Sequence, residues 1–378
     1  MNDGWKELAV GEILQLEYGK PLDESDRKPN GRFPVYGANG EKDRTDRFYH
    51  DKPSIIVGRK GSAGEINLTE EKFWPLDVTY FVTFDHKQHD LRFLYFLLST
   101  LDLQKLAKGV KPGINRNEVY SQVAKVPPLP EQRRIVAILD QEFEGIAKAH
   151  RNAEKNLQNA RALFVSHLQS VFTKRGPAWL ETTLGGVCRF ENGDRGKNYP
   201  NRREYVESGI PWINTGHIQP DGSLSESEMN FISREKYESL RSGKIQPGDL
   251  VYCLRGATLG KTALVDPLTE GAVASSLVII RPNGSLDRRF LYYFLTSPLG
   301  QGLIKLYDNG AAQPNLGAKS VAKYKISLPE LAEQKAIVQR LDALAAETQH
   351  LESIYQQKLA ALEALKKSLL HQAFTGEL

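Results

Sequence analysis

The chain carries only two cysteines, Cys188 and Cys253, among 378 residues. Two thiols supply neither a disulfide framework nor a structural zinc site, so a reducing compartment is the default expectation. Long apolar runs are missing too. The longest, around Phe93 to Leu98, is far too short to cross a bilayer. Trp5-Lys6-Glu7 stands where the apolar stretch of a secretory leader would have to begin, and these absences together predict a cytoplasmic protein. Charge of one sign does not dominate either. Fifty Lys and Arg oppose 46 Asp and Glu, a net of +4 with a pI near 8.8, which is compatible with a polyanionic partner without demanding one. With 40% apolar, 25% charged and 9% aromatic residues, the composition is that of a folded globular protein, long enough for two or more domains.

Proline is absent from two long segments, and this absence organises the chain. Glu131 to Thr173 returns, shifted by 202 and without a gap, as Glu333 to Thr375. Thirteen of the 43 positions are identical, among them Glu131-Gln132, Ile135-Val136, Leu139-Asp140 and Phe172-Thr173 with their counterparts Glu333-Gln334, Ile337-Val338, Leu341-Asp342 and Phe374-Thr375. In the first copy an apolar seam steps by threes and fours through Leu139, Phe143, Ile146, Ala153, Leu157, Ala160, Phe164 and Val171, with His150 and His167 in its gaps. In the second it runs through Ile337, Leu341, Leu344, Leu351, Tyr355, Leu362, Leu365 and Leu369, interrupted by Thr348 and Lys358. This spacing predicts two long helices, each spanning roughly 65 Å, that pair as a coiled coil. Pro127-Pro128-Leu129-Pro130 ahead of the first, with Glu131 in the first turn, is a helix start, and Lys174-Arg175-Gly176-Pro177 is a stop.

The chain outside these helices is also written twice. Ser54-Ile55-Ile56-Val57 reads as a strand feeding a glycine-rich loop, Gly58-Arg59-Lys60-Gly61-Ser62-Ala63-Gly64. Val78 to Phe84 alternates as a second strand, Asp90 to Lys108 has helical period, and Gly109 to Arg116 is a loop. In the second half Trp179, Glu181, Leu184-Gly185 and Gly193 repeat Trp5, Glu7, Val10-Gly11 and Gly19. Leu250-Val251-Tyr252 leads into Arg255-Gly256-Ala257-Thr258-Leu259-Gly260-Lys261, and Gln313-Pro314-Asn315-Leu316 stands where Lys111-Pro112-Gly113-Ile114 did. The order is globule, helix, globule, helix. The expected domains are 1–126, 127–175, 176–326 and 327–378, the globules being α/β (α+β) in tandem.

Candidate chemistry is thin. Gly256 to Thr262 resembles a phosphate-binding loop but is one residue short between its glycines, and its counterpart has Glu65 in place of the lysine. Glu70-Glu71-Lys72 resembles part of a metal-dependent nuclease, although the second globule has no matching set. The eight histidines do not assemble into ligand spacing, and neither an amino-methylation motif nor a methyl-donor loop is present. Binding remains. Arg59 and Lys60 flank one glycine loop and Arg255 and Lys261 the other, while Gln104 to Arg116 holds Lys105, Lys108, Lys111 and Arg116 with no acidic residue. Cations on glycine-rich loops approach phosphates, and adjacent Asn, Gln, Ser and Tyr side chains can read base edges. A self-contained nuclease or methyltransferase with coiled-coil arms, and a scaffold unrelated to DNA, stay open on residue types alone.

The proline cluster running into Glu131-Gln132, Ile135 and Leu139-Asp140, its variant Leu328-Pro329-Glu330-Leu331-Ala332-Glu333-Gln334, and the Phe374-Thr375-Gly376-Glu377-Leu378 tail resemble the specificity subunits of type I restriction-modification systems. The resemblance spans the chain. It implies two target-recognition domains separated by two helical spacer regions, an internal pseudo-twofold repeat, and long helices that pair as an antiparallel coiled coil. It further implies a non-catalytic subunit that reads a split target in double-stranded DNA, one half per globule. The spacer helices would dock two modification (methyltransferase) subunits, joined by restriction (translocase and nuclease) subunits. Cofactors would belong to those partners: S-adenosylmethionine for adenine methylation after base flipping, ATP and Mg for restriction, and none for this chain. On this reading Arg59, Lys60, Ser62, Lys111, Asn115 and Arg116 serve one half-site. Asn214, His217, Arg255, Thr258, Lys261 and Asn315 serve the other. Leu139, Phe143, Ile146, Leu157, Phe164, Leu341, Leu344, Leu351, Leu362 and Leu365 form the spacer seam.

Overall fold

The computed structural model describes residues 4–174, 176–307 and 315–378. The expected loop residues Gln313 and Pro314, and Arg175 of the expected helix stop, lie outside these. The chain divides into two compact units, Met1–Glu154 with Gln356–Leu378, and Lys155–Tyr355.

In the first unit a four-stranded antiparallel sheet runs in the order Leu14–Tyr18, Thr79–Phe84, Ser54–Gly58, Ile66–Thr69. The two central strands are buried along most of their length, which is why Ser54-Ile55-Ile56-Val57 is a continuous apolar run and not an alternating one. A smaller sheet joins Gly40–Thr45, Phe33–Gly37 and the short Trp74–Pro75, the last pairing in parallel through Val35 and Trp74. Strand Lys6–Ala9 pairs antiparallel with Val123–Val126 and so ties the beginning of the globule to the segment that enters the long helix. The second unit repeats the plan. Its main sheet is Cys188–Asn192, Leu277–Pro282, Leu250–Cys253, Thr262–Leu264, the parallel pairing recurs between Trp212 and Ala272, and Leu180–Thr183 pairs with Lys325–Leu328. Among the described residues almost every pairing is antiparallel and no βαβ crossover builds the main sheets, so the globules are α+β, the second of the two forms anticipated.

The helix expected over Asp90 to Lys108 is shorter. Asp90 caps it by accepting the backbone N–H groups of Arg92 and Phe93, and it runs over Leu91–Thr100. Asp102 then adopts a left-handed conformation at φ +47°, and a short 3-10 turn over Leu103–Leu106 follows, burying Leu103. Helical period alone does not reveal such a break, because the turn returns Leu103 to the same core.

The two long helices occupy Leu129–Thr173 and Leu331–Thr375, 45 residues each and offset by the same 202 as the sequence repeat. Pro130 is tolerated in the first turn, where no intrahelical donor is needed. Within the first unit Arg134 donates to the Leu378 carbonyl at 2.7 Å, Lys366 lies over the Phe143 ring and His150 faces Glu363. Within the second, Arg161 bonds Glu352 at 2.9 Å. As one number rises the other falls, which is the signature of an antiparallel pair.

Leu139, Ile146 and Leu341 are buried on the seam, and Phe143, Leu157, Phe164, Leu344, Leu351 and Leu362 are half-buried. Leu365 departs from the expected seam: it is 46% exposed. Beyond Leu362 the residues that pack on the first core are Leu369, Leu370 and Ala373, and the exposed Lys366, not Leu365, reaches over the Phe143 ring. His167, also placed on the seam by spacing, is exposed. The buried ends of the helices join the globular cores. Ile135, Val136, Leu139 and Ala373 pack with Val10, Phe93 and Leu97, while Leu168, Phe172, Val338 and Leu341 pack with Leu184, Phe290 and Phe294.

Candidate nucleic-acid interface

Each glycine loop is built by the same backbone device. In the first unit Gly61 and Gly64 take φ values of +82° and +85°, and in the second Gly256 and Gly260 take +76° and +84°. A Cβ on Gly64 would stand 2.5 Å from the Gln104 backbone nitrogen, and one on Gly260 would run into Ile304. Both positions therefore require glycine. A second segment crosses beside each loop: the Ile114 N–H donates to the Arg59 carbonyl at 3.0 Å and Lys60 bridges Gly113, while the Leu316 N–H donates to the Leu254 carbonyl at 2.9 Å and Arg255 bridges Asn315. These contacts define the equivalences. Lys60 corresponds to Arg255, Arg59 to Leu254 and Gly113 to Asn315. The two-cation match expected between the loops is thus reduced to one position, because Lys261 follows Gly260 as the exposed Glu65 follows Gly64.

On the first surface the loop cations gather around an aromatic residue that sequence reasoning did not single out. Tyr18, at the end of its strand and 46% exposed, has the Arg59 guanidinium 5.3 Å and the Arg116 guanidinium 5.1 Å from its ring centroid. Its ring rests 5.1 Å from that of Tyr80, a buried phenol whose pKa is pushed up to about 12, chiefly by burial. The Arg59 Nε donates to the Asp77 carbonyl at 3.1 Å. Asn115 caps a short helix, Arg116–Tyr120, by accepting the Asn117 N–H, which fixes Arg116 at its first position. Lys60 and Lys111 are exposed, and Ser62 is half-buried in the turn. None of Arg59, Lys60, Lys111 and Arg116 has a carboxylate within 4 Å among the described residues, whereas Lys105 and Lys108 are engaged with Asp102 and Glu118. The cationic stretch is therefore split into a paired and an unpaired half.

On the second surface a cleft of about 380 Å³ is lined by Asn192, Arg195, Leu254, Arg255, Asn315 and Lys319 together with Leu316, Gly317 and Ala318. Asn192 precedes Gly193 as Tyr18 precedes Gly19, so it holds the place of the tyrosine. Arg255 and Asn315 belong to this cleft. Thr258 is half-buried with its hydroxyl 3.3 Å from the Cys253 sulfur, and Lys261 is exposed beyond the loop. Asn214 and His217 are not brought to the cleft. His217 is only 4% exposed; its Nδ1 accepts the Asn214 backbone N–H at 3.2 Å, and its Nε2 lies within 3.3 Å of the Asn214 and Asn230 amides. Burial lowers its pKa and holds it neutral. Asn214 caps the short 3-10 turn Thr215–His217 by accepting the Gly216 N–H, so the two residues assigned to the second half-site by the family resemblance support a turn.

The motif residues that mark the long helices prove to be clamps. Gln132 is fully buried. Its Nε2 donates to the carbonyls of Pro127 (2.9 Å) and Gln88 (3.1 Å), and its Oε1 accepts the N–H of Asp90 (2.9 Å). Gln334, equally buried, donates to Pro329 and Ser285 and accepts from Asp287 at 2.8 to 2.9 Å. Eight residues further on, Asp140 pairs with Arg92 and Asp342 with Arg289, each at 2.6 Å. Each globule thus orients its own long helix by the cap residue of its own short helix. Glu70 faces Arg92 and Glu71 faces Arg44, so the acidic pair that suggested a nuclease is drawn into separate ion pairs. Among the described residues no cluster of His, Cys, Asp and Glu converges as a metal site would require.

A duplicated α+β globule with a cationic loop surface, each copy followed by a long helix, is the class of architecture that the fold defines. The family model for the type I restriction modification DNA specificity domain matches residues 2–156 and 178–363. The chain belongs to this family. It is 21% identical to the type I restriction enzyme MjaVIII specificity subunit of Methanocaldococcus jannaschii, covering 100% of this chain and 93% of that one. It is 27% identical to the EcoBI specificity subunit of Escherichia coli over 100% of this chain and 87% of that one. In fold it is similar to the HsdS subunit of Thermoanaerobacter tengcongensis (TM-score 0.61, 21% identity, 100% and 98% covered). A chain solved in a study of the assembly of a type I system superposes with a TM-score of 0.79 at 21% identity, with 100% and 99% covered.

Proposed function

We propose that this chain is the DNA-reading, non-catalytic subunit of a type I restriction-modification complex and recognises a bipartite target, one half through each globule. The observation that carries the reading is the recurrence, in both units, of a glycine-loop surface with a cation at one equivalent backbone position, Lys60 in the first and Arg255 in the second, beside further exposed cations that differ between the two. Counterion release from phosphates rewards such cations, and adjacent asparagine and arginine side chains supply base contacts. In this reading 1–126 and 176–326 are the recognition domains, and 127–175 and 327–378 are the helical spacers that set the gap between half-sites and dock two modification subunits. Restriction subunits join the same complex. S-adenosylmethionine, ATP and Mg serve the partner subunits, and the assembly works in the cytoplasm; among the described residues no helix is long and apolar enough to cross a membrane.

The test is a footprint of the full chain with its modification subunits on target DNA. Two short protected blocks separated by an unread gap are expected, and one continuous block contradicts the reading. Removing one heptad from both long helices shortens the preferred gap and leaves the half-site sequences unchanged.

A further inference from the structure

We propose that Tyr18, Arg59 and Arg116 form a preorganised guanine-reading element, in which the Arg59 fork determines a base of the first half-site and Tyr18 is its positioning residue. The inference rests on the DNA-recognition reading and adds to it which base edge is read and how the reader is held.

Base readout by arginine needs a guanidinium whose plane is fixed before binding and whose terminal edge is free. Arg59 meets both conditions. Its Nε is tied to the Asp77 carbonyl at 3.1 Å, and its plane is held beside the Tyr18 ring at 5.3 Å. That ring is braced from beneath by Tyr80 at 5.1 Å, and the Tyr80 hydroxyl bonds the Ile114 carbonyl at 3.4 Å. The backbone of Arg59 is fixed as well, since its carbonyl accepts the Ile114 N–H. Among the described residues no hydrogen bond engages its two terminal nitrogens. Arg116 rests 5.1 Å from the same ring. Two cations flank one aromatic ring, and among the described residues neither has a carboxylate within 4 Å, a repulsion that an electron-rich acceptor edge relieves.

Guanine presents two acceptors, O6 and N7, on its major-groove edge, which a guanidinium fork matches with two parallel hydrogen bonds. Adenine presents a donor there and would set N–H against N–H. Lys60 and Lys111 are exposed, and among the described residues neither makes an ion pair, which suits phosphate contact and not base reading. The second surface lacks the element altogether, having Leu254, Asn192 and Ala318 where the first has Arg59, Tyr18 and Arg116.

The experiment enriches a randomised duplex library on the full chain in complex with its modification subunits, and then titrates the selected duplex with 7-deazaguanine at the preferred guanine. The wild type enriches two half-sites, and losing N7 weakens its binding. R59A loses the guanine preference at one position of one half-site and binds the selected duplex about 5- to 150-fold more weakly, with the other half-site retained as proof of folding. R59K behaves like R59A, because a point charge does not replace the fork. Y18F keeps the preference and Y18A blunts it, because the ring and not the hydroxyl holds the arginine. Equal weakening on every duplex with an unchanged base preference would make Arg59 a phosphate contact and overturn the proposal, as would wild-type preference in R59K. If the wild type enriches no pair of half-sites, the recognition reading itself fails. If it does so and R59A keeps the guanine, only the present inference falls.

Discussion

The two globules are alike where they grip their helices and unlike where their loops face outward. Gln132 and Gln334 make the same three kinds of hydrogen bond, to a preceding proline carbonyl, to a loop carbonyl and from the cap of a short helix. Arg92–Asp140 and Arg289–Asp342 repeat to the tenth of an ångström. The outward surfaces share a glycine framework and little else: an arginine-flanked tyrosine in one, an asparagine-lined cleft in the other. A buried amide with three partners tolerates no substitution without leaving polar groups unsatisfied. An exposed loop side chain has no such constraint, so the same duplicated scaffold presents two different surfaces.

The comparison breaks most strongly at the helix anchors. Leu139→Ala and Leu341→Ala, both at fully buried positions, each lower stability by about 2–5 kcal/mol in urea titrations, by similar amounts if the two junctions are equivalent. Gln132→Leu and Gln334→Leu leave backbone groups of the cap and loop unsatisfied, and each costs about 2–4 kcal/mol in the same measurement. A large loss in one unit and none in the other would show that the clamps are not equivalent. On the loops the expected change is in binding and not in stability. Lys60→Ala and Lys111→Ala each reduce the salt slope of DNA affinity by about 1 and weaken all sequences alike.

The His217 network sharpens the contrast between surface and support. Its folded pKa is lowered by burial, so the unfolded chain binds the extra proton first. Its stabilising contribution is complete above the unfolded value of about 6.5 and is lost as pH falls from there through the lowered folded value. His50 and His89 titrate in the same direction for the same leading reason. Urea midpoints measured between pH 7.5 and pH 5 therefore fall on acidification, and His217→Gln flattens part of that slope. The smallest effect is expected at Leu365, whose exposure makes Leu365→Lys worth less than about 0.5 kcal/mol. A loss comparable to that of Leu341→Ala would return Leu365 to the seam.

Duplication was legible in the sequence, because helical period and an ungapped 202-residue offset survive in any context: the helices begin and end at the same offset as the repeat. The glycine loops were legible for a similar reason, since positive φ and close backbone approach leave glycine as the residue that fits. What residue order does not carry is which side chains meet. Tyr18, Arg59 and Arg116 are far apart in sequence and become one surface only because the Leu14–Tyr18 strand lies at the edge of a sheet whose central strand leads into the glycine loop. Glu131-Gln132 read as a family motif, but that Gln132 closes over the cap of Leu91–Thr100 depends on where the globule places Asp90. His217 and Leu365 show the limit in the opposite sense: a polar residue in a turn and an apolar residue at heptad spacing have ambiguous destinations until packing assigns one inward and the other outward. Periodicity is a property of the local chain and is written in it. Convergence of distant side chains is set by how sheets and helices pack, and only the folded structure decides it.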